Sequence, residues 1–277
     1  MTWLLLDAGN TALKWALAGP DEPRALARGS VSLDADFAQA LAGALGTALA
    51  SLPSARPAGL QATGCSVASD AVTAAIAMAV GPLVSGSVRW MTSEPRFEYR
   101  GLELLNGYRD PGQLGADRWH AMIAARQSFP EQPLVVVCAG TATTVDSVDP
   151  DGRFLGGAIA PGTSLMADSL ARGTARLPRS TGRPVERPDN TDDAIATGVA
   201  DALAGLIERR VRALARDGAR PQLVLAGGHA GELAPRLWLA GEVAGIMIEE
   251  HLVLRGLWFR AKAASTVQAG AAGTNPR

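Results

Sequence analysis

The chain has 277 residues, 47% hydrophobic and 19% charged, which is enough to bury a substantial core and long enough for two compact lobes. A formal net charge of -1 gives no global field that would draw in nucleic acid or an anionic membrane surface, so neither is expected as a partner. The two cysteines, Cys65 and Cys138, lie inside apolar strand-like runs and are too few for a disulfide framework, which fits a reducing cytoplasm.

The opening MTWLLLDAGN has a short apolar run, no basic start and an acid at position 7, and reads as neither signal peptide nor anchor. No later stretch reaches the roughly 18 uncharged apolar residues of a membrane-spanning helix. Strand-like runs at Trp3 to Leu6, Ala12 to Ala18 and Ala25 to Leu33 are separated by Gly and Pro turn signals. A helical pattern at Phe37 to Leu52, a buried strand at Leu60 to Val67 and a helix at Ala71 to Val80 complete a βββαβα order. The stretch Glu94 to Leu114, rich in Gly and Pro, reads as a loop-rich crossing able to line a cleft.

The order then begins again. Leu134 to Cys138, Thr143 to Asp149 and Phe154 to Ala160 are strands, with a hairpin turn at Pro150-Asp151-Gly152. Helices are expected at Ser164 to Arg172, at Asp192 to Arg216 behind an Asn190 or Thr191 cap, and at Glu249 to Ala263, with a strand at Gln222 to Ala226. Five arginines between Arg172 and Pro188, with Glu186 the only acid among them, suggest a mobile loop. Two copies of one fold are the economical reading: residues 1–118 as the first lobe, 119–263 as the second and 264–277 as a flexible tail.

The copies echo each other as LLLDAGNT at Leu4 to Thr11 and VVVCAGTA at Val135 to Ala142. A strand turning through Gly9 exposes backbone N–H groups to an incoming phosphate, and Asn10, Thr11 and Lys14 add donors. Gly140 with Thr141, Thr143 and Thr144 would grip the same polyphosphate from the other lobe. Asp7 repels phosphate but can hold a magnesium ion that bridges phosphates. In GADRW, Gly115 precedes an apolar helical pattern, so Asp117 and Arg118 stand at a helix start. An Arg there asks for an anion, such as a substrate carboxylate, while Asp117 can take the proton of an attacking hydroxyl. His229, after Gly227-Gly228, reads as a helix-start residue or a neighbour of the adenine, and Cys65 as small core filler.

Seven segments in order resemble the type III pantothenate kinases, Bvg accessory factor-like branch. They are DAGNTALK (Asp7 to Lys14), NGYRDPGQLGADR (Asn106 to Arg118), AGTATTVD (Ala139 to Asp146), GGAIAPG (Gly156 to Gly162), DNT (Asp189 to Thr191), AGG (Ala226 to Gly228) and LVLRGL (Leu252 to Leu257). The resemblance implies a duplicated actin-like α/β fold of the acetate and sugar kinase, Hsp70 and actin superfamily. It implies ATP-dependent phosphorylation of pantothenate to 4'-phosphopantothenate, the first step of coenzyme A synthesis, in a cytoplasmic homodimer. By the same resemblance Asp7, Gly9, Asn10, Thr11, Lys14 and Thr141 hold ATP and Mg2+, and Asp117 is the base. Tyr108, Gly115, Ala116, Asp117, Arg118 and, from the neighbouring subunit, Thr191 contact pantothenate.

The family commonly has Asp, binding an activating K+ or NH4+, where this chain has Cys138. A thiol is a poor ligand for a hard cation. Backbone carbonyls and other side chains then hold the cation, or it binds weakly, or turnover is lost and the chain is a nucleotide- or pantothenate-binding regulatory protein.

Overall fold

A computed structural model of the chain describes residues 2–21, 25–52, 59–215 and 218–272, the side chains of 267–272 excepted. The chain divides into two compact units, Met1–Glu103 with Arg109–Ala124 and Leu252–Arg277, and Leu104–Tyr108 with Ala125–His251. The sequence places a single break at 118/119. The structure instead makes the first unit discontinuous, because a helix from the far end of the chain packs into it.

In the first unit β1 (Trp3–Ala8) pairs antiparallel with β2 (Ala12–Ala18) and parallel with β4 (Gln61–Ser66), in a sheet of order β3-β2-β1-β4-β5. β3 is Ala25–Ser32 and the edge strand β5 is Arg89–Trp90. Side chains alternate across a sheet, so each strand serves two layers. Leu4, Leu6, Leu13, Trp15 and Leu17 face α1 (Phe37–Ala50) and α2 (Asp70–Val80), where Leu41, Leu45 and Ile76 complete a buried cluster. Trp3 and Leu5 point to the other side. There α7 (Leu252–Ala272) lies against the strands, with Trp258 edge-on to Trp3 at 6.4 Å and its Nε1 donating to the Gly19 carbonyl at 2.8 Å. Alternation puts Asp7, Lys14 and Cys65 on that same face.

The early part of α3 (Ala116–Ser128) packs against α7. Gly256 of α7 meets the backbone of His120 so closely that a Cβ at 256 would overlap the His120 carbonyl. Only glycine lets the two helices approach this far. His120 is fully buried, its Nδ1 hydrogen-bonded to the Ala116 carbonyl at 2.6 Å, and burial pushes its pKa down from 6.5 to about 4.

The second unit repeats the design with β8 (Leu134–Ala139), β9 (Ala142–Val148), β10 (Phe154–Pro161), β11 (Gln222–Ala226) and β12 (Gly245–Ile248), in the order β10-β9-β8-β11-β12. Val135, Val137, Val145, Leu223 and Leu225 form a core with Leu203, Ile207 and Val211 of α5 (Thr191–Leu214) and Leu233 of the short α6 (Ala230–Leu233). Asn190 caps α5, its side chain accepting from the Asp193 N–H at 2.9 Å.

Several expectations change. The crossing from Glu94 to Leu114 contains β6 (Arg96–Tyr99) and β7 (Leu102–Leu105), turning at Arg100-Gly101, both with positive φ. Residues 264–272, expected as a flexible tail, continue α7, and 273–277 lie outside the described residues. The last expected residue of α5, Arg216, lies outside them too. The arginine-rich segment after α4 (Thr163–Gly173) is not loose. Ser180 Oγ donates to the Asp192 carbonyl, the Thr181 and Arg183 N–H groups to the Asp192 and Asp193 carboxylates, and the Val185 N–H to Thr197 Oγ1. The bonds fasten it to the first turns of α5 as a strap whose arginines face solvent.

Candidate active site

The first turn follows from the β1 and β2 register, in which Asp7 stands directly across from Lys14 and beside Cys65 of β4. Gly9 donates its N–H to the Ala12 carbonyl at 3.0 Å, which closes the four-residue turn Gly9 to Ala12 and leaves Asn10 and Thr11 exposed at its tip. The Thr11 carbonyl accepts from Leu33, so the turn is anchored to the segment after β3. The tip is thus held in place from behind and presents Asn10 and Thr11 to a ligand in front.

Asp7 has a carboxyl deep enough to be strongly perturbed. Its pKa is raised from 3.8 to about 7, first by burial and second by the negative charge of Asp117, against smaller opposing effects of Lys14 and the Cys65 thiol. That thiol lies 3.8 Å from Asp7 Oδ1 and is itself held above its ordinary range, by burial first and then by the two carboxylates. Asp117 is also raised, by burial, and its Oδ1 accepts the Arg118 N–H at 2.8 Å. Two half-buried acids, the second adding to the shift of the first, have Lys14 and Arg118 as opposing positive charges, and burial outweighs both.

Gly115 has a task other than the expected substrate contact. A Cβ at 115 would lie 2.6 Å from Asp117 Oδ1, so glycine gives the carboxyl room to fold back over the helix start. Ala116 is buried, and Arg118 is only 4% exposed, whereas the sequence has it projecting. Its guanidinium is sequestered in the protein, and its charge partly offsets the shift of Asp117.

In the second unit the equivalent turn is one residue shorter. Ala139 pairs with Thr143, Gly140 donates to the Ala142 carbonyl at 3.1 Å, and Thr141 is exposed. Cys138 takes the place of Asp7 and Thr144 that of Lys14, so no charge faces this turn from its own two strands. The buried acid of this hairpin is Asp146, across from Val136. Tyr108 packs on Phe154 with ring centroids 5.2 Å apart, and a Cβ on Gly107 would overlap the Phe154 carbonyl. Thr191, at the start of α5, lines a largely apolar cavity of about 510 Å3 with Met166, Leu170, Leu177, Ile195 and Val199.

The structure therefore brings Asp7, Lys14 and Asp117 together and adds Cys65, which sequence alone reads as core filler. The signal lies in the pattern, since parallel pairing of Trp3 with Gln61 carries position 65 beside position 7. Thr191 is placed with the α4 and α5 cavity, whose lining includes none of Gly140, Thr141 and Ala142. Among the described residues no group of three or more His, Cys, Asp or Glu side chains is arranged to hold a metal ion unaided.

The profile of the family described as type III pantothenate kinase matches residues 3–213. The type III pantothenate kinases of Leptothrix cholodnii and Laribacter hongkongensis are 39% and 42% identical to the chain, over 91% and 92% of it and 95% and 96% of their own lengths. Among solved structures, one described as a Baf family transcriptional activator from Campylobacter jejuni aligns at TM-score 0.55 and 18% identity, covering 96% of this chain and 99% of that one. The activator of 2-hydroxyisocaproyl-CoA dehydratase from Clostridium difficile, with bound ADPNP, aligns at 0.53 and 13% identity over 100% of both. At these identities the two structures bear on fold alone, which is the actin-like ATPase fold with one five-stranded sheet in each unit.

Proposed function

The chain belongs to the type III pantothenate kinase family and phosphorylates pantothenate at the expense of ATP in coenzyme A biosynthesis, and from that premise we propose how its residues divide the work. The observation that carries the proposal is the pair of half-buried carboxyls, Asp7 and Asp117, both raised above the usual carboxylate range.

Asp117 is the base. It stands at the first turn of α3 with its rotamer set by Gly115 and the Arg118 N–H, and its raised pKa brings it toward the range useful for accepting a proton near neutrality. The pantothenate hydroxyl has a far higher pKa, so Asp117 orients it and takes its proton late, as phosphoryl transfer proceeds in line. By the family resemblance Arg118 takes the pantothenate carboxylate, a contact that would lie inside the protein because the guanidinium is buried, and Tyr108 and a partner subunit's Thr191 complete the binding in a homodimer.

Asp7 fits a magnesium ion. A single carboxylate at the turn suits an ion that keeps several waters and takes its remaining ligands from phosphates, in place of a full protein cage. When bound, Mg2+ neutralises charge on the transferring phosphates. Lys14 and the Gly9 to Thr11 turn bind phosphate oxygens in the first unit, and Gly140 and Thr141 do so in the second. Cys138 does not fit a potassium ligand, so K+ or NH4+ would take oxygen ligands from elsewhere in the protein.

No helix among the described residues is long and apolar enough to cross a membrane, and the cytoplasm is the compartment we propose. The deciding assay incubates pantothenate with Mg-ATP in sodium buffer, then with added potassium or ammonium, and follows phosphopantothenate by mass spectrometry. Product that rises with the added cation is expected. Cation-independent product removes the monovalent site from the proposal, and absence of product in every buffer overturns these roles.

A further inference from the structure

His120 is a buried titratable side chain that the proposed chemistry leaves unused. It lies on α3, three residues after Asp117, with its Nδ1 at 2.6 Å from the Ala116 carbonyl oxygen. A carbonyl only accepts, so the proton of the neutral ring is on Nδ1 and Nε2 carries a bare lone pair. Nε2 is buried too, with no hydrogen-bond partner among the described residues. Burial pushes the pKa down to about 4, so the ring is neutral and the bond intact near neutrality.

An apolar side chain of similar size would fill this place without leaving a polar atom unpaired, so core packing alone does not account for an imidazole. The bond it makes has a specific target. The Ala116 oxygen belongs to the peptide unit whose nitrogen is that of Asp117, and the unit is planar, so holding its oxygen also fixes the direction in which the Asp117 Cα leaves. Asp117 is the second residue of α3, where helices fray. Other groups of the same turn are held as well: the Trp119 N–H donates to the Gly115 carbonyl at 3.0 Å, and Asp117 Oδ1 accepts the Arg118 N–H at 2.8 Å. His120 is itself fixed from behind, since Gly256 of α7 lies so close that a Cβ there would overlap the His120 carbonyl. The imidazole therefore links α7 to the peptide that carries the acid.

We propose that His120 is a positioning residue for phosphoryl transfer: its Nδ1–H, donated to the Ala116 carbonyl, holds the peptide between Ala116 and Asp117 and so aims the Asp117 carboxylate at the hydroxyl it deprotonates. The assignment rests on the reading of Asp117 as the base. Fully buried, His120 acts through Asp117 and does not itself meet the substrate.

The test compares kcat and KM of the full chain with those of His120→Leu, which keeps an apolar filling and removes the donor, and His120→Asn, whose amide nitrogen lies where Nδ1 does. Thermal melts establish folding, and His120→Gln, whose amide lies nearer the place of Nε2, replaces the leucine variant should that one not fold. His120→Leu should lower kcat about tenfold, the scale of one hydrogen bond, with KM for ATP within about twofold of wild type and His120→Asn recovering most of the loss. Equal losses of kcat in the leucine and asparagine variants would overturn the proposal, as would no loss in either. A double variant locates the effect: with Asp117→Asn in place, His120→Leu should lower the residual turnover no further. A further loss there, with Asp117→Asn alone strongly impaired, removes the role of His120 and leaves the base standing. Near-normal turnover of Asp117→Asn alone removes the base and the positioning role together.

Discussion

The two hairpins, β1 with β2 and β8 with β9, share a register up to their tips and then diverge in charge. In the first, Asp7 faces Lys14 across a four-residue turn. In the second, Cys138 faces Thr144 across a turn one residue shorter. Gly9 and Gly140 each donate their N–H within their own turn, but only the first hairpin carries a carboxyl that feels the charge of a second one, Asp117. The repeated fold thus carries two glycine turns, and the titratable pair Asp7 and Asp117 belongs to the first unit alone. A backbone turn binds phosphate by shape and tolerates change in its neighbours, whereas a metal ligand and a base must share one electrostatic environment.

The largest expected effect breaks that asymmetry. Asp117→Asn should lower kcat by about 10^3, within the range for a lost general base, with KM for ATP changed less than about threefold. If Thr141→Ala in the other unit cost as much turnover, the division of labour would be refuted.

The next test uses pH. Asp7 has its pKa raised from 3.8 to about 7, so its neutral form favours folding, and that contribution is fully present below pH 3.8 and lost as pH rises to 7. His120 acts in the opposite sense. Its pKa is depressed from 6.5 to about 4, so its contribution is present above pH 6.5 and lost as pH falls toward 4. A tenfold difference in proton affinity between the folded and unfolded chain corresponds to about 1.4 kcal/mol. Chemical denaturation without magnesium should therefore show Asp7→Asn losing stability relative to wild type toward acid, and His120→Asn losing it toward neutrality. Slopes of the same sign in the two variants would contradict the assignment.

A smaller effect probes the layer behind Asp7. Gly256→Ala should destabilise by about 1–3 kcal/mol, the usual cost of overpacking, because the added methyl meets the His120 carbonyl. A melt indistinguishable from wild type would mean the helices separate freely. The smallest change is Cys138→Asp, which makes the second hairpin resemble the first. It should lower the potassium concentration giving half-maximal activity a few-fold, with little effect on KM for pantothenate.

Much of this is legible in the sequence because period-2 alternation in Leu4 to Ala8 and Val135 to Ala139 is set by local burial. The caps and turns at Asn190 and Pro150 to Gly152 are equally local. What escapes depends on contacts distant in sequence. β5 is two residues long and exists only through its pairing with β4, and β12 only through β11. The arginine-rich segment carries loop composition, yet it is tied down by carboxylates ten or more residues ahead. The site divides in the same way. Motifs point to Asp7, Lys14 and Asp117, while Cys65 requires the parallel register.

The far origin of α7 sets an order of maturation. Domains tend to fold as they emerge from the ribosome, and the second unit draws all its segments from residues 104–108 and 125–251, so it can close before synthesis ends. The first unit cannot. Until Leu252 and the residues after it appear, Trp3 lacks Trp258, His120 lacks its seat against Gly256, and the face holding Asp7 and Asp117 lacks a layer. The nascent chain thus completes the unit of the Gly140 turn first and the surroundings of β1 last, so a polypeptide stopped short of α7 would emerge without the layer against the strand that carries Asp7.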